Sequence, residues 1–127
     1  MNILLDSHTL IWWFDGDSLL SRPAKLVMQN PRNTILVSAA TAWELAIKVN
    51  LGKLNLLPLI IDFGKQVAEE GFIEQPITFE HATRAGLLPM HHHDPFDRLI
   101  VAQAQLLNVP ILSADKLFDA YDVRRIW

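Results

Sequence analysis

Apolar residues fall along this chain in short unbroken runs, each cut off by polar residues and separated from the next by segments of helical spacing. Ile3-Leu4-Leu5 stops at Asp6, and Thr34 to Ser38 is β-branched and apolar, so both read as buried strands. Phe72 to Ile77 reads as a third strand, placed at a sheet edge because Pro76 has no N–H for a ladder. Val109 to Leu112 predicts a fourth and Val123 to Trp127 a fifth. Between the strands the period lengthens. Trp12, Trp13 and Phe14 sit in a short helix, and Pro23 opens another over Ala24 to Gln29 that stops near Asn30-Pro31. From Thr41, the residues Ala42, Leu45, Ala46 and Val49 recur at helical spacing up to Gly52, a natural C-terminal cap. Pro58 opens one helix carrying Ile61, Val67 and Ala68 and ending at Gly71. Phe79 to Leu87 predicts a short helix, Asp94-Pro95 begins a long one through Leu107, and Lys116 to Tyr121 makes a last helical turn. Strands alternating with helices predict an α/β protein with a mostly parallel central sheet of about five short strands. Strands without polar alternation predict a sheet covered by helices on both faces.

With 127 residues, half of them hydrophobic, the chain fits one domain spanning 1–127 and is too short for two. It has no cysteine, which excludes disulfides and thiolate metal sites and suits the cytoplasm. Asp6 and His8 interrupt the first apolar residues before a signal peptide can form. No apolar stretch approaches the ~20 residues of a membrane span. The expectation is a cytoplasmic protein without a membrane partner. A net charge of −3 argues against a passive nucleic-acid binder, which neutralises phosphates with basic side chains. An enzyme holding phosphates through metal ions escapes that objection.

Four acids draw attention by position. Each has a purely structural reading. Asp6 caps a helix after the first strand, Thr41 and Glu44 have capping-box spacing, Asp97 follows Asp94-Pro95 in a first turn, and Asp115 caps Lys116-Leu117-Phe118. Together they suggest more. Ligands of open α/β sheets bind beyond the carboxyl ends of the strands. Asp6 and Asp115 follow such ends, and Glu44 and Asp97 join that edge if the connections bring their helices to it. Four clustered carboxylates would repel one another and raise their pKa values. Such a cluster suits a hard divalent cation, Mg²⁺ or Mn²⁺.

Other features lead less far. The consecutive side chains of His91-His92-His93 cannot all face one ion, so a structural or solvated role is expected, with His93 as the candidate to face substrate. Arg98 is expected to pair structurally with Asp97, ahead of contacting phosphate. Three consecutive aromatics at Trp12 to Phe14 cannot all turn inward from a surface helix, so at least one should meet solvent, a dimer mate or a partner unless a loop covers them. The five glycines form no phosphate loop, and no G-x-S-x-G marks a nucleophile elbow.

The stretches Leu4 to Trp13, Ser38 to Leu54, His91 to Ala104 and Ile111 to Tyr121 together resemble the PIN-domain nucleases, and within them the VapC-type toxins of toxin–antitoxin pairs. The resemblance implies a three-layer PIN-like fold and metal-dependent endoribonuclease activity. It further implies Asp6, Glu44, Asp97 and Asp115 as the catalytic, metal-holding acids. Asp94 in DPFDR reads as the helix cap beside Asp97, and Ser7 and Ser113 as residues that orient carboxylates or a metal-bound water. The partners implied are RNA, a cognate antitoxin and a second copy of the chain. Competing readings are a phospho-accepting receiver domain and a PIN-like module that binds RNA without cutting it. A receiver would want an acidic pair after the first strand and a lysine after the last, and neither is present. A haloacid-dehalogenase-like phosphatase would want D-x-D where Asp6 is followed by Ser7 and His8.

Overall fold

The computed structural model describes Met1–Trp127 throughout. Five strands form one sheet: β1 Asn2–Leu5, β2 Thr34–Ser38, β3 Ile73–Gln75, β4 Ile111–Leu112 and β5 Arg125–Ile126. Every neighbouring pair runs parallel, in the order β3-β2-β1-β4-β5. Ile3 lies opposite Ile35 across β1 and β2, and Leu5 opposite Leu112 across β1 and β4. Seven α-helices cover it: α1 Ser7–Asp15, α2 Arg22–Gln29, α3 Ala39–Asn50, α4 Leu57–Ile61, α5 Phe63–Glu69, α6 Phe79–Leu87 and α7 Pro95–Leu107.

Strand pleating explains why the strands are apolar without interruption, since alternate residues enter two different cores. Ile3, Leu5, Ile35 and Val37 face one core, with Leu10, Ala24, Leu45 and Val67 from α1, α2, α3 and α5. Leu4, Leu36 and Ile111 face the other, with Ile100, Val101 and Ala104 of α7 and with Phe118 and Tyr121. This is the expected three-layer α/β arrangement. The strand order reverses direction between β1 and β4. At such a switch point the chains leave the sheet in opposite directions, opening a crevice at the carboxyl ends.

The structure corrects several boundaries. The helix expected from Pro58 to Gly71 is two, α4 and α5, because Asp62 adopts a non-helical backbone (φ −133°, ψ 45°) between them. The third strand is only Ile73–Gln75, ending where Pro76 removes a donor, and it lies at the predicted sheet edge. The last two strands are two residues each. Gly52, at φ 72°, sits in the left-handed region just beyond α3, where a side chain would be strained. No helix is long and apolar enough to cross a membrane.

Candidate metal centre

The acids converge on the β1/β4 switch point. Asp6 leaves the end of β1 and caps α1, its Oδ1 accepting from the Thr9 N–H at 2.9 Å and the Thr9 hydroxyl at 2.6 Å. Its Oδ2 accepts from the Ser113 hydroxyl at 2.5 Å. Ser113 lies just past β4, and its Oγ also accepts the Asp115 N–H at 2.9 Å. One serine thus fixes the acid after β1 against the acid after β4.

Glu44 arrives from α3. Its capping-box reading is overturned, because Ser38 caps that helix through the Ala40 N–H and Glu44 lies well inside it. It is nevertheless buried, with Oε1 accepting from the Ser7 hydroxyl at 2.6 Å and Oε2 from Lys48 Nζ at 2.7 Å. Its charge is near enough to act on Asp97. Asp94 is the cap of α7, accepting from the Phe96 and Asp97 N–H groups at 2.8 and 3.1 Å. That leaves the Asp97 carboxylate for the crevice. Asp115 caps the 3₁₀ turn Lys116–Ala120 with Oδ1 through the Leu117 N–H, and turns Oδ2 inward.

Electrostatics match this placement. Burial pushes the Asp97 carboxyl up to about 8, and the charges of Asp94, Asp6, Glu44 and Asp115 push in the same direction. Burial also raises Asp6, outweighing the hydrogen bonds from Ser113 and Thr9 that favour its charged form. Without a cation Asp97 therefore retains its proton near neutral pH. Asp6, Glu44 and Asp115 lie near enough for their charges to act on Asp97, and Ser7 and Ser113 are bonded directly to Glu44 and Asp6. Oxygen donors of this kind fit a hard divalent cation, and the shared repulsion supplies the reason to bind one.

Within the histidine run the structure sets His92 into the cluster, in place of the expected His93. His92 is buried, and its Nε2 lies 3.0 Å from Asp97 Oδ2 and 3.2 Å from Asp115 Oδ2. The ligating atoms of these three residues all lie within 4.8 Å of one another. His91 and His93 are exposed, so the histidine set into the site is the middle one of the run.

One further expectation is corrected, and another is met only in part. Arg98 does not pair with Asp97. It is buried and donates instead to the carbonyls of Ala85, Gly86, Leu88, Pro89 and His92, at 2.9 to 3.4 Å. Trp12, Trp13 and Phe14 are all half-buried against the first core, with Trp12 packed on Trp127 and Trp13 on Phe72. The chain's own residues cover much of the aromatic run. The most exposed tryptophan is Trp43, 59% accessible, set edge-on to Phe96 where Glu44 and Asp97 enter the site.

Comparison with known proteins identifies the family and the fold. A family model described as the PIN domain matches residues 3–124. Ribonuclease VapC16 of Mycobacterium tuberculosis is 43% identical over 51 residues, a match covering 32% of this chain and 36% of the relative. The chain thus matches about a third of the length of that curated relative. Among solved structures, VapBC2 from Rickettsia felis bound to a promoter DNA fragment is similar, with a TM-score of 0.73 at 15% identity over 100% of this chain and 99% of that one. VapBC-1 from nontypeable Haemophilus influenzae is similar with a TM-score of 0.69 at 20% identity, covering 99% and 97%. At these identities the structural likenesses establish the fold.

Proposed function

The chain belongs to the PIN domain family, and from that membership and the acid cluster we propose that it is a Mg²⁺- or Mn²⁺-dependent endoribonuclease. The observation that carries the reading is Asp97, a carboxyl held among four other acids and driven up to about 8. A purely structural helix cap gains nothing from such a neighbourhood. Asp6, Glu44, Asp97 and Asp115 are the residues that would hold the cation. Bound there, a divalent ion supplies an acidified water and countercharge for the phosphate. The protein's own part is orientation. Ser113 and Thr9 hold Asp6, while Ser7 and Lys48 hold Glu44, so no carboxylate has to reorganise when charge develops.

Residues 1–127 are proposed to act as one domain, in the cytoplasm, as the toxin of a toxin–antitoxin pair. The names of the similar proteins support that role. A cognate antitoxin and a second copy of the chain are proposed as partners, and exposed Trp43, Leu51, Leu57 and Ile61 on and beside α3 and α4 offer apolar surface for them. The receiver-domain reading gives way to the family match.

The test is incubation of purified protein with a mixed RNA pool, first with Mg²⁺ and then with EDTA, followed by sequencing of the products. Cleavage is expected with the metal and should stop on chelation. Cleavage undiminished by EDTA would refute the metal reading, and RNA bound but uncut would favour the non-catalytic module. Cation binding should also expel a proton. At pH 7 Asp97 is mostly protonated without metal and must ionise to bind. Calorimetric titrations in buffers of different ionisation enthalpy should show proton release that fades above pH 9, with affinity rising up to about pH 8 and then levelling. Binding heats independent of buffer at pH 7 would contradict the raised Asp97.

A further inference from the structure

We infer that His92 is a positioning residue that presents Asp97 and Asp115 to the cation without ligating it, an inference resting on the divalent-cation reading of the site. The argument is one of ring orientation. His92 Nδ1 accepts the Asp94 N–H at 3.2 Å, so in the neutral ring the proton lies on Nε2. Nε2 lies 3.0 Å from Asp97 Oδ2 and 3.2 Å from Asp115 Oδ2; a proton there donates to Asp115 and sets the same N–H dipole against the Asp97 oxygen. Ligation through Nε2 would move the proton to Nδ1 and set it against the Asp94 N–H, donor facing donor. The ring can bridge the acids or bind the ion, and the backbone amide selects the bridge.

The surroundings serve that orientation. The His92 N–H donates to Tyr121 Oη at 2.8 Å, and the same hydroxyl donates to the Pro89 carbonyl at 2.7 Å. The His92 carbonyl accepts from Arg98, and the ring packs against Phe118 with centroids 5.9 Å apart. Contacts from Arg98, Phe118 and Tyr121 fix an irregular loop whose histidine reaches acids 5 and 23 residues downstream. The Asp97 carboxylate accepts no side-chain hydrogen bond, so the His92 N–H dipole 3.0 Å away is the contact that orients it. Partners that orient metal-ligating groups in this way are worth about 10- to 100-fold in metal affinity.

The experiment measures Mn²⁺ affinity by electron paramagnetic resonance for the wild type, His92→Gln and His92→Phe, with folding monitored by circular dichroism. Glutamine places an amide donor near the Nε2 position, whereas phenylalanine keeps the packing and removes the donor. The expected result is a loss of about 10- to 100-fold for His92→Phe and no more than a few-fold for His92→Gln. Ring ¹⁵N spectra of the wild type with saturating Mg²⁺ should retain the Nε2 proton, a readout that survives even if His92→Phe fails to fold. Unchanged affinity in folded His92→Phe would overturn the inference while leaving the nuclease reading intact. So would loss of the Nε2 proton with Mg²⁺ bound, which would make His92 a ligand. A wild type that binds no Mn²⁺ would overturn both.

Discussion

Asp97→Asn should all but abolish RNA cleavage while leaving the protein folded and, at neutral pH, more stable. The amide is nearly isosteric but a weak donor to a hard cation, so loss of rate by roughly a hundred- to a thousandfold is expected. Stability moves the other way. The folded-state pKa lies near 8, above the ordinary 3.8, so folding holds a proton that the unfolded chain releases. Stability contributed by Asp97 is therefore full below about pH 4 and declines as pH rises towards 8. An asparagine escapes that decline. At ~1.4 kcal/mol per unit the ceiling at pH 7 is about 4 kcal/mol, and the weakened polar contact with His92, 3.0 Å away, reduces the expected gain to about 1–3 kcal/mol. Thermal melts of metal-free protein at pH 5 and pH 7.5 should show the gap between variant and wild type widening with pH. Normal cleavage by folded Asp97→Asn would return this residue to a merely structural role.

Arg98→Met should be the most destabilising single change near the site. The guanidinium satisfies last-turn carbonyls of α6 and three more in the following loop, where the positive charge also complements the helix dipole. Removing it strands several carbonyls in a buried setting, at about 1–3 kcal/mol for each that finds no water. A loss of about 3 kcal/mol or more in urea unfolding is expected. Arg98→Lys should recover only part of it, since a point charge with three donors cannot span the same fan of acceptors. A loss under about 1 kcal/mol for Arg98→Met would mean that the loop holds itself in place.

What the sequence made legible follows from how local the cause was. Strands β1 and β2 are visible because their apolar runs are continuous and end at Asp6 and Ser38. The acids are visible because they follow strand ends or open helices. Glu44 joined the list despite a misleading cue, for Thr41 imitates a capping residue inside a helix that Ser38 already caps. The break at Asp62 was hidden, since the apolar spacing of Ile61, Val67 and Ala68 suits either one helix or two. His92 was hidden for a deeper reason. Three identical residues in a loop carry no period, and the choice among them is made by Tyr121 and Arg98, buried partners that local pattern does not reveal. Arg98 was misread because an adjacent carboxylate looks like a partner, while five backbone carbonyls leave no trace in a sequence.

The placement of β1 between β2 and β4 has a consequence for the protein's birth. The first strand is made long before one of its two neighbours, Leu5 pairing with Leu112. Asp6 likewise waits for Ser113, its partner 107 residues downstream. At roughly 5–20 residues per second of synthesis, the ribosome needs about 5 to 20 s to deliver the second half of the site after the first. Throughout that interval β1 lacks β4, and the acids remain on separate, unjoined pieces of chain. Long-range pairing of this kind also slows folding itself. The site's acids can meet only once Ser113 and Asp115 have been made and β4 has taken its place beside β1, so assembly of the centre is tied to closure of the sheet.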